Sequence, residues 1–284
     1  MGIMVDGVWH TDEAPLADDK TGRFIRKESA FRNWVTADGS PGPSGEGGFE
    51  AEPGRYHLYI SISCPWAHRT RLVRAIKRLE DLVGISIATP RRTDQGWTYD
   101  NSTEAYGDPL YGIEALHTLY SRADPGYSGR VTVPTLWDTQ RETIVNNESS
   151  EIIRMFNDAF AAHAPASPDL YPADLRDEIE AVNERTYEGL NNGVYRAGFA
   201  TAQEAYEEAA RQVFDTLDWM EDRLSKQRYL AGDRLTLADW RAFPTLVRFD
   251  CAYVSAFKCN LRRLIDYPNL WGYTRELYQM PGVA

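Results

Sequence analysis

The chain has 284 residues, 43% of them hydrophobic, 26% charged and 12% aromatic, with a formal net charge of −11. That length fits two domains better than one. The apolar fraction excludes wholesale disorder, the negative balance argues against a nucleic-acid partner, and no apolar run reaches the ~18 residues that would read as a membrane span.

Residues 1–50 show little periodicity. The segment Asp38–Phe49 carries five glycines and two prolines and reads as an exposed loop or arm. The start, Met1 to Pro15, is polar and acidic, unlike a secretory signal. Cys64, Cys251 and Cys259 are too few for a disulfide framework, so a reducing cytoplasm is the expected compartment. Order begins at Tyr56. Tyr56–Ile62 is rich in aromatic and β-branched residues and reads as a buried strand. Ser63-Cys64-Pro65-Trp66-Ala67-His68-Arg69 follows. Pro65 marks the first position of a helix, which puts Cys64 at its N-terminus. Leu72, Ile76 and Leu79 continue at helical spacing, and Val83–Ala88 reads as a second strand. The three elements form a βαβ unit.

Thr89–Arg130 reads as a long irregular connection rich in tryptophan and tyrosine, and such connections are often functional. Val131–Asp138 reads as a turn into a strand, and Thr143–Val145 pairs with it as a hairpin. Asn146–Glu151 opens a helix whose apolar side is Ile152, Ile153 and Phe156. Ala161–Ala173 holds three prolines and reads as a linker. Helix dominates thereafter: Tyr206, Ala210, Val213, Leu217, Met220 and Leu224 form an apolar stripe. Thr201 with Glu204, and Thr236 with Asp239, read as capping boxes. The expected organisation is an N-terminal extension over 1–50, an α/β domain over 51–160, a linker over 161–172 and an all-α domain over 173–284.

Cys64 is the expected nucleophile. The thiolate is the reactive form, and a helix N-terminus offers roughly half a positive charge and free N–H groups to stabilise it. His68 and Arg69 stand one turn along. A dithiol redox motif would place a second cysteine at position 67, where Ala67 stands, so an adduct on Cys64 must be resolved by an outside thiol or a distant cysteine. The competing reading is a buried structural cysteine, which the Cys-Pro-Trp-Ala context after a strand disfavours. Cys251 and Cys259 both read as structural.

Val133-Pro134 opens a strand. A cis peptide there would leave the Val133 N–H and C=O open to an extended ligand backbone. Glu148-Ser149 stands at a helix N-terminus. The Ser149 hydroxyl and nearby N–H groups suit a carboxylate, and Glu148 suits an ammonium group, although helix capping alone also explains the pair. His10, His57, His68, His117 and His163 show no ligand spacing, so no metal is expected.

These segments together resemble the glutathione transferase superfamily, and within it the Xi class, the glutathionyl-hydroquinone reductases. The resemblance rests on Ser63–Arg69, Gly129–Pro134, Ile144–Ser150, Asn191–Phe199, Phe257–Leu261 and Tyr267–Trp271, and covers the chain from about residue 20 onward. It implies a thioredoxin-like N-terminal domain, a helical C-terminal domain and a homodimer. It further implies Cys64 as nucleophile, glutathione as co-substrate held by Trp97, Arg130, Val133, Glu148 and Ser149, and a quinol pocket lined by Tyr195 and Tyr253. For both tyrosines core packing is the competing reading. Family members carry a histidine where Ala256 stands, and they continue past Ala284, so the acceptor side of the pocket is expected to differ.

The reaction implied is reduction of a glutathionyl-hydroquinone through a Cys64–glutathione mixed disulfide. Tyr195 would be the proton donor to the departing carbon. An Omega-like thiol transferase or dehydroascorbate reductase uses the same cysteine and is the alternative within enzymes. A non-catalytic binding module is the alternative of another class, and the intact Cys-Pro-Trp-Ala with Glu148-Ser149 disfavours it.

Overall fold

The structure is a computed structural model that describes residues 2–11 and 20–283. These fall into two compact units, one of residues 2–11 and 28–168, the other of residues 20–27 and 169–283. The boundary at Pro168 and Asp169 falls in the proline-containing segment that reads as a linker, where residues 161–172 hold no helix or strand. Residues 20–27 group with the second unit, so the first fifty residues do not act as one extension.

The first unit opens with a short antiparallel hairpin, β1 (Ile3–Val5) and β2 (Val8–His10). Its main element is a four-stranded sheet. β3 (Tyr56–Ser61), α1 (Pro65–Ile76) and β4 (Val83–Ala88) form the expected βαβ unit, with β3 and β4 parallel. β5 (Thr135–Asp138) and β6 (Thr143–Asn146) form an antiparallel hairpin, and the strand order is β4-β3-β5-β6. Every residue of β3 is buried, as expected of a central strand covered on both faces. Leu58 stands opposite Ile85 on one side and Leu136 on the other. α3 (Ser149–Asp158) packs against α1 and buries Ile152, Ile153 and Phe156. Arg55 closes one end of the sheet, donating to Asp138 from Nε (3.0 Å) and Nη2 (2.6 Å), with both side chains buried.

Two expectations fail in this unit. The β1–β2 hairpin lies where no periodic structure is expected; it is held by long-range pairing of Met4 with Gly129 and of Gly7 with Tyr127. The Thr89–Arg130 connection contains a helix, α2 (His117–Ala123), whose start has no side-chain cap to announce it. The glycine-rich 38–49 segment is the exposed loop expected; it closes on itself through Gly48 N–H to Gly39 O (2.7 Å), and its end is pinned by Phe49, which is buried.

The second unit holds α4 (Arg176–Thr186), α5 (Gly193–Gly198), α6 (Gln203–Leu224), α7 (Leu237–Leu246) and α8 (Pro268–Tyr278). Ala210, Val213, Leu217 and Met220 of α6 are buried, while Tyr206 and Leu224 at the ends of the stripe are half-buried. Thr236 and Asp239 form the expected capping box on α7. The one read at Thr201 and Glu204 does not form. α6 starts at Gln203, because the Thr201 N–H is taken by the Gly22 carbonyl (3.0 Å) and the chain enters the helix two residues later. Among the described residues no helix is long and apolar enough to cross a membrane.

Candidate functional site

The βαβ turn delivers Cys64 as the sequence predicts. Cys64 has extended backbone (φ −92°, ψ 117°) and is the N-cap of α1, with Pro65 as the first helical residue. Its carbonyl accepts the first helical bond from His68 N–H (3.0 Å), and its own N–H donates to Ser61 O (3.1 Å). The thiol is half-buried, and no acidic residue stands in the first turn of α1. The helix therefore presents its positive end to the sulfur without a local opposing charge.

The Val133–Pro134 peptide is cis. The Val133 carbonyl is not left open, as the sequence reading had it. Cys64 Sγ points at it as a donor across 3.5 Å, which brings the start of β5 against the start of α1.

At the start of α3, Glu148 is the N-cap and its carboxylate accepts from Ser150 N–H (3.1 Å) and Ser150 Oγ (3.0 Å). Ser29 Oγ donates to the other oxygen of Glu148 (3.0 Å). Burial opposes ionisation of this half-buried group. The Ser150 N–H and hydroxyl, the Ser29 hydroxyl and the Arg69 charge outweigh it and hold the carboxyl below the usual carboxylate range. Glu148 is thus an anion that caps its own helix and still has an oxygen shared only with a hydroxyl. Capping and ligand binding are not exclusive here.

Arg69 joins the two helix starts. It is only 2% exposed, its guanidinium lies 4.6 Å from the Trp66 ring centroid, and Nη1 donates to Ser149 Oγ (3.4 Å). The sequence sets Arg69 one turn beyond Cys64 but does not show that it holds Ser149. Its signal was an arginine one helical turn beyond a cysteine N-cap, on the buried face of α1.

Trp97 lies on the loop before α2. Its ring is 6% exposed under the guanidinium of Arg92, which sits 3.7 Å from the ring centroid. The Trp97 indole N–H is buried and finds no acceptor among the described residues. The loop is held by Leu116 N–H to Trp97 O (2.9 Å), by Asn101 to the Gly112 carbonyl (2.9 Å), and by Asp108. The Asp108 carboxylate accepts from the Tyr111 N–H (3.0 Å), the Ile113 N–H (3.2 Å) and Ser86 Oγ (2.7 Å). Arg130 is half-buried, and its carbonyl accepts from the Tyr127 hydroxyl (2.9 Å).

The two tyrosines assigned to the quinol pocket belong to the second unit. Tyr195 of α5 is half-buried and Tyr253 is buried. Their ring centroids are 6.2 Å apart, and Phe257 lies 5.3 Å from Tyr195 and 5.1 Å from Tyr253. Phe199 and Phe24 extend the cluster. Tyr253 is packed behind, against Phe249, Phe257 and Tyr195. Gly198 makes the packing possible: a Cβ there would stand 2.0 Å from Phe257 Cδ1. Ala256, exposed beside Phe257, contributes no polar group.

Cys259 is buried, and burial pushes its thiol up to about 12. Cys251 is exposed, against the expectation of a structural role. No group of three or more His, Cys, Asp or Glu among the described residues is placed to hold a metal ion.

Models of the glutathione S-transferase N-terminal and C-terminal domains match residues 63–159 and 203–276. Glutathionyl-hydroquinone reductase YqjG of Escherichia coli K12 is 54% identical over 285 residues, covering 100% of this chain and 87% of that protein. The chain belongs to the glutathione transferase superfamily. The glutathione-bound structure of YqjG matches with a TM-score of 0.88 and 52% identity over 99% of this chain and 85% of that one. A Xi class transferase from Natrialba magadii matches with a TM-score of 0.89 and 45% identity, over 100% of this chain and 84% of that one. The mixed four-stranded sheet with its helices, and the all-α second unit, are the two halves of the glutathione transferase fold.

Proposed function

We infer that this glutathione transferase is a glutathionyl-hydroquinone reductase of the Xi class, with glutathione as its co-substrate. The observation that carries the reading is the placement of the Cys64 thiol. It is half-open at the N-terminus of α1, 3.5 Å from the Val133 carbonyl, and Ala67 stands where a resolving thiol would be. The family relatives supply the substrate class.

Glutathione is held by its two charged ends and its backbone. Glu148, kept anionic, takes the α-ammonium group. Ser149, braced by Arg69, takes the α-carboxylate through its hydroxyl and its N–H. The Val133 main chain lies beside the cysteinyl part. The buried Trp97 indole N–H, without an acceptor among the described residues, fits a ligand oxygen, and Arg130 completes the set.

In the first step the Cys64 thiolate attacks the glutathione sulfur of the thioether. The S–S bond to Cys64 forms and the sulfur–aryl bond breaks. The carbon takes its electron pair and a proton, for which Tyr195 is the donor, and hydroquinone leaves. In the second step the thiolate of another glutathione attacks the glutathione sulfur of the mixed disulfide. Glutathione disulfide leaves and the Cys64 thiolate is restored. The cycle reduces the aryl carbon by two electrons and oxidises two glutathiones to one disulfide. It requires reduced Cys64 and a thiol pool, which fits the cytoplasm. A homodimer is the assembly expected of the class.

The test is mass spectrometry of the protein treated with glutathione disulfide, with turnover of glutathionyl-menadiol alongside. One glutathione per chain, on Cys64 and removed by reductant, is expected, and Cys64→Ala should fold and lose turnover. A folded Cys64→Ala protein with full turnover ends the proposal. Faster turnover of dehydroascorbate than of glutathionyl-menadiol would favour the Omega-like reading instead.

A further inference from the structure

We propose that Arg26, on the arm of residues 20–27, is a positioning residue that holds Tyr195 and stabilises it as it gives up its proton. The proposal rests on the reading of Tyr195 as proton donor.

The arm is fixed along the second unit at successive residues. The Gly22 carbonyl accepts from Thr201 N–H (3.0 Å). Gly22 has φ +78°, and a Cβ there would stand 2.8 Å from the Ala202 nitrogen, so only glycine fits the crossing. Arg23 donates to Glu208 Oε2 from Nη2 (2.7 Å) and Nε (3.1 Å). Phe24 packs on Phe199 with centroids 5.3 Å apart. The sequence of contacts ends at Arg26, whose guanidinium lies 4.9 Å from the Tyr195 ring centroid and 5.7 Å from that of Phe24. Arg26 Nε donates to Asn192 Oδ1 (2.8 Å).

Asn192 is buried at the N-cap of α5, three residues before Tyr195. The guanidinium is therefore gripped by the helix that carries the phenol and laid against that phenol's ring. This also gives the Asn191-Asn192-Gly193 segment a role, since Asn191 donates to Thr245 Oγ1 (2.9 Å) and leaves Asn192 for the arginine.

A neutral phenol attracts the cation only through its ring quadrupole. As the proton leaves for the substrate carbon, the ring gains negative charge and the attraction grows. The interaction is stronger in the transition state than in the ground state, and such an interaction raises kcat rather than tightening KM.

The test compares wild type, Arg26→Ala, Arg26→Lys, Tyr195→Phe and the Arg26→Ala/Tyr195→Phe double variant. Each is assayed for kcat and KM on glutathionyl-menadiol. Turnover is normalised to that on the mixed disulfide of glutathione and mercaptoethanol, where the leaving group is a thiolate and no carbon is protonated. Arg26→Ala should lower the normalised kcat roughly tenfold with KM changed less than about threefold. Arg26→Lys, which keeps the charge and loses the planar fork, should lose less, and serves if the alanine variant fails to fold. In the Tyr195→Phe background Arg26→Ala should add nothing.

Equal losses on both substrates, or additive losses in the double variant, would overturn the role of Arg26. If Tyr195→Phe loses turnover and neither Arg26 variant does, only the role of Arg26 falls. If Tyr195→Phe keeps full normalised turnover, the proton-donor reading falls and the role of Arg26 falls with it.

Discussion

His57→Asn should flatten the acid side of the protein's stability curve. His57 is buried in β3. Its Nε2 pairs with Ser86 Oγ (2.7 Å), and the Ser86 hydroxyl donates a hydrogen bond to Asp108 (2.7 Å). Burial is the main reason its ionisation is lowered from 6.5 to about 4; the Asp108 charge pulls the other way and Arg74 adds to the lowering. The folded protein resists a proton that the unfolded chain accepts below pH ~6.5. Stability is therefore lost as pH falls between the two values. Linkage gives a loss of roughly 2 kcal/mol from pH 7 to pH 5 for this one group. The assay is urea unfolding at both pH values, followed by circular dichroism and tryptophan fluorescence, whose transitions must coincide for the free energies to be used. Wild type should lose about 2 kcal/mol more than His57→Asn over this interval, whatever the variant's stability at neutral pH. Equal losses in the two proteins would refute the reasoning. The loss has a functional side, since Asp108 also gathers the backbone that follows Trp97.

Three other outcomes follow from the geometry. Arg69→Met removes a positive charge that helps keep Glu148 ionised; the KM for glutathione should rise about tenfold, ~1.4 kcal/mol. Because the Glu148 carboxyl then rises, the acid-side loss of kcat/KM should begin at higher pH, as a pH–rate profile would show. Under native conditions iodoacetamide should modify Cys64 and the exposed Cys251 and spare Cys259, whose thiol is buried and pushed up to about 12; peptide mapping reads this directly. Gly198→Ala puts a methyl group 2.0 Å from Phe257 Cδ1, which should cost about 1–3 kcal/mol in urea melts and lower quinol turnover more than disulfide turnover.

The parts of the fold legible in the sequence are those whose cause is local. Tyr56–Ser61, Pro65–Ile76 and Val83–Ala88 declare themselves by composition, by a proline at a helix start and by spacing. The Thr236–Asp239 box is local too. What was hidden depends on distant partners. Three-residue strands such as Ile3–Val5 carry almost no periodic signal, and Met4 owes its place to Gly129. Thr201 looks like a cap because nothing nearby reveals that Gly22 will claim its N–H. At the site, Cys64, Glu148 and Ser149 were readable as helix starts. Arg69 and Arg26 were not, because each acts on a residue of another element: Ser149 in one case, Asn192 and Tyr195 in the other.

The amino-terminal hairpin bears on how the protein is handled. Trp9 stacks on His117 with centroids 4.9 Å apart and donates its indole N–H to the Asp94 carbonyl (3.0 Å), three residues before Trp97. A purification tag joined to the first residue would hang beside the loop that carries Trp97. Trimming the first ten residues as dispensable would strip that loop of its buttress, so an engineer would do better to attach handles elsewhere and leave this end as it is.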